Sequence, residues 1–202
     1  MTNYDRMWKD FKQFVDEFKS ESDRAAVILA AAKLDLLLYQ ILQKVLKPAV
    51  GRADELLEGD LPLGIFHSRI LMCYRLGLID DHFAKALNLI RKIRNSFAHE
   101  PSGASLDSGS HRDRVRELTS LFKNHPALEW TLERYFKDTQ TSVEFRAAVA
   151  LLSARLDGLF DKATTVVYPV PYAIVPPNWP SGNSGESSLA APSGPAPSGA
   201  MS

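Results

Sequence analysis

The sequence predicts an all-α fold, a multi-helix bundle followed by an extended C-terminal arm and a disordered tail. Apolar residues recur at three- and four-residue intervals through most of residues 1–163, and groups that start helices stand before those stretches. After Ala163 the composition turns to proline, glycine and serine. With 202 residues and 45% apolar content, the chain has material for one core and an appendage. Lysine and arginine total 24, as do aspartate and glutamate, so no net positive field draws the whole protein to nucleic acid.

The first helix is expected over about Tyr4 to Lys19, where Met7, Phe11, Phe14 and Phe18 form one apolar stripe against a charged remainder. Ser20-Glu21-Ser22-Asp23 fits a helix start: a hydroxyl accepts a backbone N–H and an acid complements the positive helix end. The helix from about Asp23 to Lys47 is apolar almost all round, which places it in the centre of a bundle, and Pro48 ends it. A polar link through Gly51 and Gly59 leads to Pro62, which suits a first helical turn, so a third helix is expected from Pro62 to Leu76. Gly77 reads as a left-handed stop and Asp80 as the cap of a fourth helix, with Phe83, Ala86, Leu87, Ile90, Ile93 and Phe97 on one face.

Glu100 to Ser110 has the composition of an exposed loop. Two further helices are expected beyond it, one with Pro126 in its first turn and one opened by a capping box at Thr141 and Glu144 that runs to about Ala163. From Thr164 to Pro177, repeated prolines and β-branched residues impose extended backbone. Beyond Trp179 too few large apolar groups remain to repay the entropy of ordering. The expected domains are a helical bundle at 1–163, an arm at 164–180 and a tail at 181–202.

Few residues carry chemistry. Cys73 sits in an apolar helical stretch and reads as a small buried hydrophobe. His67, His82, His111 and His125 lack partners at metal-ligand spacing, and no glycine-rich phosphate loop or nucleophile elbow occurs, so no metal and no cofactor are expected. The cluster from His111 to Arg116 is broken by Asp113 and reads as a solvated helix face, while Trp8, Trp130 and Trp179 are scattered and read as packing residues. The N-terminus has no secretory layout, and the apolar run from Ala25 to Ala32 is too short to span a bilayer. A cytoplasmic protein without membrane contact is expected.

The most informative segment is Arg91-Lys92-Ile93-Arg94-Asn95-Ser96-Phe97-Ala98-His99. Its Arg94-Asn95 pair, with His99 five positions after the arginine, resembles the signature of HEPN domains, small helical bundles of which many are metal-independent endoribonucleases acting as dimers. Histidine can move a proton at a ribose 2′-hydroxyl, and arginine can stabilise charge on a scissile phosphate. One subunit offers one such histidine, so cleavage by an acid and a base requires two copies about a two-fold axis. The same residues can instead satisfy carbonyls at a helix's negative end.

A second resemblance covers about Glu21 to His99. The segment from Glu21 to Leu29, Leu61-Pro62-Leu63-Gly64, and Tyr74-Arg75-Leu76-Gly77-Leu78-Ile79 are similar to the mannitol operon repressor family. That resemblance implies an all-helical regulator of a sugar-alcohol operon without an obvious DNA-reading motif. A helix-turn-helix at Arg69 to Ile93 would present Asp80-Asp81 to phosphates, so direct DNA binding is not expected. The leading expectation is a non-enzymatic regulator that acts through a protein partner and forms a homodimer. The alternative is a ribonuclease acting on RNA through Arg94, Asn95 and His99.

Overall fold

One helix, Asp23–Val45, organises the rest. The computed structural model describes residues 3–51, 54–100, 102–122 and 125–167, except the side chains of residues 3–7 and 10. Within them run α1 (Asn3–Phe18), α2 (Asp23–Val45), α3 (Phe66–Arg75), α4 (Asp81–His99), α5 (Gly109–Ser120), α6 (Ala127–Thr131) and α7 (Thr141–Lys162), with no strand among the described residues. A short π-helical turn, Leu132–Phe136, continues α6. The protein is all-α. The outer part of the expected arm and the whole expected tail, 168–202, lie outside the described residues.

Helix α2 packs against α3, α4 and α7, and α7 in turn meets α1, α5 and α6. Leu34, Leu38, Ile41 and Leu42 of α2 are shielded from water together with Ile90, Ile93 and Phe97 of α4 and Phe145 of α7. Each such side chain contributes roughly 1.5–3 kcal/mol by leaving water. Helix α2 has the length and apolarity to cross a membrane, a property that the short run at Ala25 to Ala32 does not suggest. Half of its most apolar stretch is buried against the neighbouring helices, as in a bundle core.

A smaller cluster of Phe11, Val15 and Ala150 fixes α1 to α7, and aromatic rings extend it. The Trp8 ring lies 5.6 Å from both Phe11 and Trp130, in edge-to-face contacts that hold α1 to α6. Two tryptophans that look scattered in the sequence thus meet.

Ser22 caps α2, its hydroxyl accepting the Ala25 N–H, and Asp80 caps α4 by accepting from Phe83 N at 2.8 Å. Gly77 takes φ +70°, the left-handed stop that its position predicts. Cys73 is fully buried.

Four expectations are corrected. Helix α3 starts at Phe66, not Pro62: the Asp54 carboxylate accepts from the backbone N–H groups of Leu56 and Leu57, and Arg69 donates to the carbonyls of Leu57, Leu63 and Gly64. Residues 54–65 are thereby held as folded turns. The capping box at Thr141 does not close, because Asp107 accepts the Ser142 N–H at 2.9 Å and Gln140 is the cap. Three helical segments follow Glu100, not two, since the basic cluster forms α5, whose inner side buries His111, Val115 and Leu118. The loop before α5 is not wholly exposed: Leu106 is buried and Asp23 accepts its N–H at 2.9 Å.

Cations tie the ends of α2 to distant segments. Arg146 of α7 donates to the carboxylate of Asp23 and to the Glu21 carbonyl, and Arg24 donates to the carbonyls of Phe97 and Glu100 at the end of α4. At the other end, Lys44 reaches the Phe160 carbonyl at 2.6 Å. There Ala163 turns the chain out of α7 in extended conformation, and Val166 N donates to the Val45 carbonyl at 2.8 Å.

Candidate functional site

The Arg-Asn pair of the R-N-x-x-x-H motif opens on a groove. Helix α4 turns about 100° per residue, so Arg91, Arg94 and Asn95, three and four positions apart, share one side of it. That side faces the gap between α2 and the start of α3. The gap has a volume of about 500 Å³ and is lined by Arg91, Arg94 and Asn95 from α4, Ile28, Ala32 and Asp35 from α2, and Ile65 and His67 next to and on α3.

The charges in this groove are not balanced. Asp35 forms an ion pair with Arg69 at 2.8 Å, and Arg69 also stacks over the Tyr39 ring with 5.1 Å to its centroid. The acid is therefore committed. Arg91 bonds Asn88 and Arg94 bonds Asn95 Oδ1 at 3.2 Å, contacts with neutral amides, and among the described residues no carboxylate pairs with either. Two guanidiniums one turn apart suit an anion with several oxygens. His67 lines the same groove, and its Nδ1 is shut off from water with no hydrogen-bond partner among the described residues.

His99 is placed differently. It is the last residue of α4, exposed, and does not line the groove. A single subunit thus brings Arg94 and Asn95 together and leaves His99 apart.

Beneath that helix end lies a histidine whose role the sequence does not reveal. His111 is buried, with Nε2 3.0 Å from Ser96 Oγ and 3.3 Å from Glu100 Oε1, and its ring packs on Phe97 at 4.4 Å. Serine, histidine and glutamate together suggest a nucleophile triad. The geometry refuses it, because a triad needs the acid on one ring nitrogen and the hydroxyl on the other, and here both meet Nε2. The cluster ties α4 to α5.

Asp80, Asp81 and His82 come within metal-binding distance of one another at the start of α4, all exposed. Asp80 is already the helix cap and Asp81 Oδ1 lies 3.2 Å from His82 Nδ1, so the group has the character of a solvated helix start. No family model, curated protein or solved structure matches the chain.

Proposed function

We propose that this chain is a cytoplasmic, non-enzymatic regulator of the mannitol operon repressor type that works through protein contacts and pairs with a second copy of itself. The outer strip of α2 carries this reading: Ile28, Leu29 and Leu36 are 51%, 46% and 50% exposed. A central helix needs its inner face apolar, whereas an aliphatic strip turned to water serves nothing inside the bundle and fits a contact surface. Ile65, 56% exposed beside the groove, adds to the apolar surface.

The strip is self-complementary about Ala32. Ile28 and Leu36 stand at equal distances to either side of it, as do Ala25 and Tyr39 farther out. An antiparallel copy centred there sets Ile28 on Leu36 and Ala25 on Tyr39, each reciprocated as a two-fold contact requires, while Leu29 falls on Asp35. The test is light scattering at micromolar concentration on the wild type and Leu36→Glu. A dimer is expected for the wild type and a helical monomer for the variant. A wild-type chain that stays monomeric overturns the reading.

A second reading, a metal-independent endoribonuclease of HEPN type, is favoured by the unbalanced arginines beside Asn95. Under it Arg94 holds a scissile phosphate, and His99 from each of two copies moves the protons. EDTA-resistant cleavage of single-stranded RNA by the wild type, lost in His99→Ala at an unchanged melting temperature, is what this reading expects. No cleavage by the dimer eliminates it and is the result the regulatory reading expects.

A further inference from the structure

Three helices border the groove beside Arg94, and together they place little negative charge there. After Asp23, α2 carries one carboxylate, Asp35; α3 carries none, and α4 carries none after Asp81. Among the residues lining the groove Asp35 is therefore the only acid, and it is held by Arg69, a buried cation of α3. Arg91 and Arg94 add two further positive charges, with no carboxylate of the described residues against them.

Most of the N–H groups on these two arginines remain open. Arg91, half-buried, engages only Nε, with Asn88, which leaves both terminal nitrogens. Arg94, exposed, engages Nη1 with Asn95 Oδ1, which leaves Nη2 and Nε, and among the described residues the Asn95 amide nitrogen donates to nothing. A guanidinium has donors and no acceptor, so the α4 wall presents a row of N–H groups. The opposite wall has the same sign: α3 begins at the groove, Ile65 at its cap position supplies no side-chain acceptor, and no acid stands in its first turn. Ile28, Ala32 and Ile65 complete the groove with apolar surface.

Two cations one helical turn apart are matched by a group with two negative charges and three oxygens. A phosphomonoester is such a group, carrying about 1.5 to 2 negative charges at neutral pH, whereas a carboxylate has one charge and occupies one guanidinium fork. The volume of about 500 Å³ lies in the range of small-molecule sites, where apolar walls supply affinity and a few polar groups fix orientation. We propose that the groove binds a small phosphomonoester, its phosphate shared between Arg91 and Arg94 and its organic body against Ile28 and Ile65. The site needs neither His99 nor a second copy, so its failure is distinguishable from the failure of cleavage or of pairing.

The experiment is titration calorimetry of the full chain at low salt and neutral pH with phenyl phosphate, inorganic phosphate, benzoate and benzylamine. Phenyl phosphate is expected to bind once per chain. It should bind more tightly than inorganic phosphate, which lacks the organic body, and than benzoate, which lacks the second charge; benzylamine should not bind. Arg91→Gln and Arg94→Gln are each expected to weaken phenyl phosphate about tenfold or more. Lys92→Gln removes an equal charge from the same helix outside the groove and should change the affinity by no more than about twofold. The absence of saturable phenyl phosphate binding overturns the proposal, as does benzoate bound equally well. A loss in Lys92→Gln equal to that in the arginine variants overturns it too, since diffuse charge and not a site would then attract the ligand. A trinucleotide RNA bound where phenyl phosphate is not replaces the small-molecule site with a polynucleotide surface. Should Arg91→Gln lose its helical circular dichroism, Arg94→Gln against Lys92→Gln decides, because both residues are exposed.

Discussion

Leu36 and Leu38 stand two residues apart on α2, and they live in different solvents. Leu38 is completely shielded, whereas Leu36 is 50% exposed. The same division runs along the helix, with Leu34, Ile41 and Leu42 inside and Ile28 and Leu29 outside. Residue type does not distinguish the faces, since both are aliphatic. Position does: α3, α4 and α7 cover one side and leave the other bare. The inner face is what folding requires, and the outer face exceeds that requirement, which is why the pairing proposed above rests on it.

The largest effect expected from this contrast is at Leu38. Leu38→Ala removes atoms from the packed centre and is expected to lower unfolding free energy by about 2–5 kcal/mol, read from the urea midpoint. A cost below 1 kcal/mol would mean that the inner face is loosely packed.

A smaller effect, in pH, comes from Cys73, which packs with that inner face. Burial pushes its thiol up from an ordinary 9.0 to about 12. The folded state then holds its proton more tightly than the unfolded state. Stability from this group is present in full below pH 9 and is lost as pH rises from 9 toward about 12. Urea unfolding of the wild type and Cys73→Ala should therefore diverge less at pH 10 than at pH 8. The native thiol should react with a maleimide only after unfolding, and fast labelling under native conditions would place it near the surface.

Leu36→Ala gives the smallest effect. Measured in dilute solution where copies do not pair, it is expected to change stability by no more than about 0.5 kcal/mol. A loss equal to that at Leu38 would show that the outer strip is covered within the single chain.

Much of this architecture was legible in periodicity. Phe11 and Phe18 of α1 and Ala86, Leu87, Ile90, Ile93 and Phe97 of α4 are buried as their spacing predicts, Phe83 only partly so, and Asp80 and Gly77 bound α4 and α3 as their types predict. The errors fall where a remote side chain overrides a local signal. Pro62 has the chemistry of a helix start, yet Arg69 takes three carbonyls around it and delays the helix to Phe66. Thr141 has the chemistry of a cap, yet Asp107 supplies the acceptor.

The candidate site divides in the same way. Arg94 and Asn95 follow from the motif alone, because one helix fixes them. His67 and the exhausted charge of Asp35 do not, since they depend on α2, α3 and α4 meeting.

The cationic ties at the ends of α2 have a consequence for the chain as it is made. Asp23 waits for Arg146 and Lys44 waits for the Phe160 carbonyl, both on the last helix. Ribosomes add about 5–20 residues per second, so α2 is complete roughly 6–20 s before α7 arrives to cover it. Through that interval the most apolar helix of the protein is in water along more than its outer strip. Closing the core is thus left to the last helix to be made, and that interval sets how long the inner face stays open to water.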